Sequence, residues 1–142
     1  MAAPHAMAVP QSCRMPATTS QRDVLVIECP LDMSVVSILA DQNLAEVVRR
    51  LREAYAPERI YLFGSRARGD DGPDSDYDLL VVVPDSVAPE ARASKIGYQA
   101  LRGTGIAADV VVCSHGYFEA RVHLQASLPG TVLREGHLLH AA

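Results

Sequence analysis

The sequence predicts an α/β protein in which a small mixed β-sheet is flanked by helices. A stripe of apolar residues with helical spacing begins after Asp41. Two apolar runs of strand length follow, at residues 59–63 and 76–83, with turn residues between them. A second helical pattern at 90–101 precedes a third strand-like run at 106–113. Helical and strand patterns that alternate along a chain are typical of a sheet covered by helices.

The first helix is predicted to run from Asp41 to Pro57. Asp41 can accept hydrogen bonds from the free N–H groups of the first turn, and Pro57 cannot continue a helix. The stripe repeats at i, i+3, i+4, i+7 and i+11, which places one apolar face toward a core. Its members are Leu44, Val47, Val48, Leu51 and Tyr55.

Length and composition fit one globular domain. The chain has 142 residues, of which 49% are apolar and 21% are charged. The net charge of −4 does not favour direct binding to nucleic acid. The three cysteines have no metal-ligand spacing, so free thiols are expected. No run of about 20 apolar residues and no signal-peptide pattern is present, so we expect no membrane association and a cytoplasmic location.

The sequence divides into three parts. Residues 1–22 contain no acidic residue and three prolines without periodicity, which predicts a disordered tail. Residues 23–40 form an N-terminal extension, where DVLVIE at 23–28 has the composition of a short strand. Residues 41–142 carry the domain pattern. After the third strand, short helices are expected at 117–126 and 129–136, followed by a terminal strand-like HLLH.

A pair of acids stands at the start of the second strand. Asp76 and Asp78 are two residues apart, so on an extended chain their side chains point to the same face. Two such charges about 4 Å apart repel by about 4 kcal/mol at an effective dielectric constant of about 20. A cation between them removes that cost, and carboxylate oxygens suit Mg²⁺ or Mn²⁺. The alternative is that both acids simply begin the strand.

Asp109 is a third acid, embedded in the apolar run at 106–113. An acid inside a core strand is costly unless it is paired or bound to a metal. If the third strand lies beside the second, three carboxylates converge on one patch. Such a patch suits one or two Mg²⁺ ions, and two-metal sites catalyse phosphoryl-type transfers.

Gly64 and Ser65 end the first strand and open a predicted helical turn at 65–69. Glycine allows a sharp turn and a close approach to a ligand, and the serine hydroxyl can bind a phosphate oxygen. Arg66 and Arg68 follow and can contact phosphates or a partner. For both arginines, solvation at the surface is an equally plain interpretation.

The segment GSRARGDDGPDSDYDLLVVV resembles the nucleotidyltransferase signature, in which Gly-Ser, ten residues and Asp-x-Asp are followed by a third Asp on a later strand. Gly64 and Ser65, Asp76 and Asp78, and then Asp109 fill these positions. The size is similar to that of minimal nucleotidyltransferases, the MNT partners of HEPN proteins in toxin–antitoxin pairs. The resemblance covers roughly residues 41–142.

The resemblance implies a polymerase-β-like nucleotidyltransferase fold. It also implies transfer of NMP, usually AMP from ATP, to an acceptor hydroxyl with Mg²⁺, two ions being expected. Gly64 and Ser65 would hold the β- and γ-phosphates, and Asp76 and Asp78 would ligate both metals. Asp109 would complete the metal site and help deprotonate the acceptor. Arg68 would contact phosphate or the partner.

Three functions agree with this resemblance. The first is an antitoxin that adenylylates a tyrosine of a HEPN-type toxin, because little sequence follows Asp109 to hold an acceptor. The second is a non-catalytic antitoxin that binds its partner with a vestigial site. The third is a transferase acting on a small molecule, as aminoglycoside-modifying enzymes do. The sequence leaves a homo-oligomer open.

Overall fold

The structure is a computed structural model that describes residues 37–38 and 40–142. The predicted tail and the predicted strand at 23–28 lie outside the described residues. The described part contains four strands and five α-helices. In chain order they are α1 (Gln42–Tyr55), β1 (Arg59–Phe63), α2 (Gly64–Arg68), β2 (Tyr77–Val83), α3 (Ser94–Ala100), β3 (Ala108–Ser114), α4 (His115–Arg121), α5 (Leu128–Glu135) and β4 (His137–Ala141).

The four strands form one mixed sheet in the order β3-β2-β1-β4. β1 pairs antiparallel with both β2 and β4, whereas β2 and β3 are parallel. The parallel pair requires a crossover, which α3 supplies. The predicted α/β class with a small mixed sheet is confirmed.

Helices cover both faces of the sheet. On one face, α1 packs over alternate residues of β1 and β2, and Val110 of β3 joins them. On the other face, the core contains Phe118 of α4 and Val132 of α5. β2 is buried along almost its whole length because it lies between two strands and beneath two helical layers. The apolar run after Asp78 is therefore a central strand, as the sequence predicted.

The start of α1 is fixed by Asp41. Its side chain accepts hydrogen bonds from the backbone N–H groups of Asn43 (3.0 Å) and Leu44 (3.2 Å), as an N-cap does. The other carboxylate oxygen accepts a hydrogen bond of 2.6 Å from the hydroxyl of Tyr77, at the start of β2. The cap thus also ties the first helix to the central strand.

The predicted helix at 90–101 is wrong in its first half. Residues Pro89–Arg92 form a 3₁₀ turn, and α3 begins only at Ser94. Ala93 between them is extended (φ −66°, ψ 130°), and its carbonyl accepts a hydrogen bond from the hydroxyl of Tyr55 in α1. The same carbonyl also accepts a hydrogen bond of 3.0 Å from the backbone N–H of Ile96, so the extended Ala93 is the N-cap residue at which α3 begins.

Two further findings concern membrane association and thiols. Across residues 37–38 and 40–142, no helix has both the length and the apolar character needed to span a membrane. Cys113 lies buried at the end of β3, and burial raises the pKa of its thiol to about 11. Cys13 and Cys29 lie outside the described residues.

Candidate active site

The turn between β1 and α2 brings the backbone of Gly64 against the side chain of Asp78. Gly64 has φ +74°, in the left-handed region that favours glycine. A Cβ at this position would overlap the Oδ2 atom of Asp78 and lie 3.0 Å from its Cγ. The residue before it, Phe63, is paired with Asp78 across β1 and β2. Two residues of the sequence motif, Gly64 and Asp78, are therefore in direct contact in the fold.

Asp78 and Asp109 are partners in the parallel ladder between β2 and β3. Side chains at paired positions of neighbouring strands project to the same face of a sheet. Burial raises the pKa of Asp78, and the charges of Asp109 and Asp76 raise it further, whereas Arg68 opposes the rise. The three carboxylates thus share one electrostatic patch.

Asp109 is not buried, contrary to the sequence-based interpretation. β3 is an edge strand of the sheet and Asp109 stands near its beginning, where the side chain is exposed. Its Oδ1 atom accepts a hydrogen bond of 2.5 Å from the hydroxyl of Tyr98 on α3. The charge of Asp109 is therefore stabilised by solvent and by a hydrogen bond from a hydroxyl group. It does not require a buried countercharge.

The donor set of the patch suits a hard divalent cation. Among the described residues, no ion pair involves Asp76, Asp78 or Asp109, and the more distant charge of Arg68 offsets only part of the repulsion at Asp78. No three His, Cys, Asp or Glu side chains of residues 37–38 and 40–142 are arranged as a ready-made cation site. Tyr98 engages one oxygen of Asp109. The carboxylate oxygens are of the type that Mg²⁺ prefers, so the donor chemistry of the patch, though not a preassembled geometry, fits this ion.

The two arginines of the motif differ in what they contact. Arg66 stacks over the ring of Tyr77 (4.1 Å to the centroid) and donates a hydrogen bond of 2.7 Å to the carbonyl of Ser75. It therefore holds the loop that leads to the acid pair. Arg68 is exposed and pairs with Asp70 at 2.9 Å. A second carboxylate, that of Glu135, lies 3.8 Å from its guanidinium, and surface ion pairs of this kind are weak.

The carboxylate patch is an open surface. A cavity of about 630 Å³ lies between α1 and the end of β4, and one of about 290 Å³ lies beside β3 and α5. Neither is lined by the three aspartates. Asp76 and Asp109 are both exposed. Neither of these two cavities is therefore part of the carboxylate patch.

Sequence reasoning missed Tyr98. It lies off the apolar stripe of its helix, eleven residues before Asp109, and no local motif joins the two. Only the order of helix and strand along the chain could have suggested that Tyr98 lies near Asp109. A short loop between a helix and the next strand places the end of the helix beside the beginning of the strand.

Comparison with known proteins identifies the family. The model of the nucleotidyltransferase domain matches residues 44–133. The matched region is more than half of the chain and contains all three aspartates together with Gly64 and Ser65. The chain therefore belongs to the nucleotidyltransferase domain family, as the motif predicted. No curated protein is similar enough to the chain to count as a match.

Three of the solved structures that are similar to this chain have the following sequence identities, TM-scores and coverage. A Sulfolobus solfataricus protein assigned to the nucleotidyltransferases is 24% identical with a TM-score of 0.49, covering 78% of this chain and 88% of that one. A toxin–antitoxin structure with AMP-PNP is 21% identical (TM-score 0.49; 72% and 75% covered). A complex of a tri-AMPylated Shewanella oneidensis HEPN toxin with an MNT antitoxin is 21% identical (TM-score 0.45; 70% and 71% covered).

Proposed function

We propose that this nucleotidyltransferase moves AMP from ATP to a tyrosine hydroxyl of a HEPN-type toxin and thereby acts as its antitoxin in the cytoplasm. The observation that carries the proposal is the contact of Gly64 with Asp78, whose neighbour in the parallel ladder is Asp109. One short region of the sheet thus combines three carboxylates with the glycine turn that we propose binds phosphate.

Each residue has one task in the proposed reaction. Gly64 and Ser65 bind the β- and γ-phosphates, and Arg68 adds a positive charge at the same end. Asp76 and Asp78 hold Mg²⁺, which when bound supplies the positive charge that a triphosphate and its leaving pyrophosphate require. Asp109 accepts the proton of the attacking hydroxyl, which is general-base catalysis.

The open surface supports a macromolecular acceptor. Asp76 and Asp109 are exposed, and neither of the two cavities described above is lined by them. Small-molecule sites usually bury most of their ligand, whereas a tyrosine presented by a protein needs only an accessible base. This difference favours a protein acceptor over a drug-like one.

The test is transfer of labelled AMP to the HEPN-type product of the neighbouring gene. With ATP labelled in the α-phosphate and Mg²⁺, the wild-type chain is expected to label a tyrosine of that protein. Asp76→Asn and Asp78→Asn should abolish labelling because each removes a charged ligand but keeps the side-chain shape. Asp74→Asn is the matched control, since Asp74 is an exposed acid of the same loop.

Each other outcome selects a different function. A partner that carries no label with the wild-type chain, as with Asp76→Asn, would exclude adenylylation of that partner. Full suppression of toxicity by Asp78→Asn would favour an antitoxin that acts by binding. Label that appears only on an added small molecule would favour a drug-modifying type of transferase.

A further inference from the structure

Tyr98 presents its hydroxyl to the proposed general base. The hydroxyl donates a hydrogen bond of 2.5 Å to Oδ1 of Asp109, and 48% of the residue is exposed. The bond joins two side chains at the surface, beside the open carboxylate patch. The hydroxyl is therefore bonded to the carboxylate on a part of the surface that solvent reaches.

The position of Tyr98 is fixed by its neighbour Gly97. The backbone N–H of Gly97 donates a hydrogen bond of 2.7 Å to the hydroxyl of Tyr55, which in turn donates to the carbonyl of Ala93 at 2.7 Å. A Cβ on Gly97 would lie 3.0 Å from Cγ1 of Val110. Glycine thus lets α3 pack closely on β3, and this holds Tyr98 beside Asp109.

The arrangement is the one that an acceptor hydroxyl needs. A general base must lie within hydrogen-bond distance of the proton that it removes. Tyr98 meets this condition with the same carboxylate that the proposed function assigns to the acceptor. Tyr117 has an almost equal exposure of 47%, but among the described residues its hydroxyl contacts no carboxylate, and its ring stacks against the guanidinium of Arg121 at 4.0 Å.

We propose that Tyr98 is an internal acceptor, so that without a partner the chain transfers AMP to its own Tyr98. This inference rests on the proposed function. The phenolic oxygen attacks the α-phosphorus of ATP, an O–P bond forms, and the bond between the α-phosphorus and the bridging oxygen breaks. Pyrophosphate leaves with the electron pair of that bond, and the phenolic proton passes to Asp109 and then to solvent.

Adenylylation of Tyr98 would reduce the transfer of AMP to a partner protein. An adenylylated Tyr98 fills the space in front of Asp109 that an incoming tyrosine would use. The two hydroxyls therefore compete for one base. Self-modification lowers the capacity of the chain to label another protein.

The experiment uses the purified full chain with ATP and Mg²⁺ and without a partner. Intact mass spectrometry is expected to show the addition of one adenylyl group, and peptide mapping should place it on Tyr98. Tyr98→Phe should lose the adduct, Tyr117→Phe should keep it, and Asp109→Asn should form it about 10²–10⁴-fold more slowly. The fraction modified with time should not depend on protein concentration, since the reaction is internal.

The results separate this inference from the proposed function. A chain that labels its HEPN-type partner while its own Tyr98 stays unmodified overturns the inference alone. An adduct that forms equally on Tyr98→Phe, or at a rate that rises with protein concentration, also overturns it. A chain that transfers AMP to neither its partner nor itself overturns both. In mixed reactions, Tyr98→Phe is expected to label the partner more than the wild type does.

Discussion

Asp78 and Asp109 stand side by side in the parallel ladder of β2 and β3, although they are 31 residues apart in the chain. This pairing brings the Asp-x-Asp motif and the distant Asp109 together in one carboxylate patch. Gly64 completes the patch, because the turn after β1 places its backbone against Asp78.

Gly64→Ala is expected to slow AMP transfer by about 10²-fold. The new methyl group must displace the Asp78 carboxylate, and a shift of about 1 Å in a reacting group can cost about 10²-fold in rate. Gly69→Ala is the matched control, because Gly69 has a similar φ of +78° but nothing within 4 Å of its Cβ position. Both variants carry about 1–3 kcal/mol of backbone strain. An equal loss of activity in Gly69→Ala would show that strain alone is responsible.

Asp78→Asn is expected to stabilise the fold at pH 7 in metal-free buffer. The pKa of Asp78 lies above its ordinary value of 3.8, chiefly through burial, so the folded chain binds this proton more tightly than the unfolded chain does. Stability of the wild type therefore falls as pH rises through that window, and the uncharged amide avoids the loss. Urea unfolding checks this. The advantage should vanish below pH 3.8, and a less stable variant at pH 7 would contradict the prediction.

Tyr77→Phe is expected to lower the free energy of unfolding by about 1.5–3 kcal/mol, the range for a hydrogen bond to a charged acceptor. The lost bond joins its hydroxyl to Asp41 at 2.6 Å. Asp41→Ala should cost a further 0.5–2 kcal/mol or so for the N-cap. A double-mutant cycle by urea unfolding should show coupling, with Tyr117→Phe as an exposed control. Additive effects of the two substitutions would mean that the bond contributes nothing.

Cys113 is expected to resist thiol reagents in the folded chain. Burial raises the pKa of its thiol from 9.0 to about 11, which lowers the thiolate fraction about a hundredfold and also blocks access. The measurement is the labelling rate of a Cys13→Ser, Cys29→Ser variant in buffer and in urea. Labelling in buffer at the rate seen in urea would contradict the burial of this side chain.

Most of the fold and the acid motif could be predicted because they depend on residues that are close together in the sequence. The helical stripe after Asp41, the break at Gly64 and the apolar run after Asp78 each depend on neighbours in sequence, and each is confirmed. The family also followed from the motif, because the spacing between Ser65 and Asp76 is local. The assignment of individual residues to metal and phosphate stays a prediction.

Contacts between distant residues could not be predicted. The hydroxyl of Tyr55 binds the carbonyl of Ala93, 38 residues later, at the point where the 3₁₀ segment ends and α3 begins. Asp109 was expected in the core because its neighbours are apolar, but an edge strand leaves it exposed. Its bond to Tyr98 depends on how closely α3 packs on β3, which the sequence does not report.

The central claim is that Asp76 and Asp78 bind a metal–nucleotide complex, and thermal unfolding tests it most directly. A non-hydrolysable ATP analogue with Mg²⁺ should raise the unfolding midpoint of the wild type and of Asp74→Asn. At a hundred times the dissociation constant the gain is about 2.7 kcal/mol. Asp76→Asn and Asp78→Asn should show little or no rise. A wild-type midpoint that does not move, or equal rises in all four proteins, would contradict the claim.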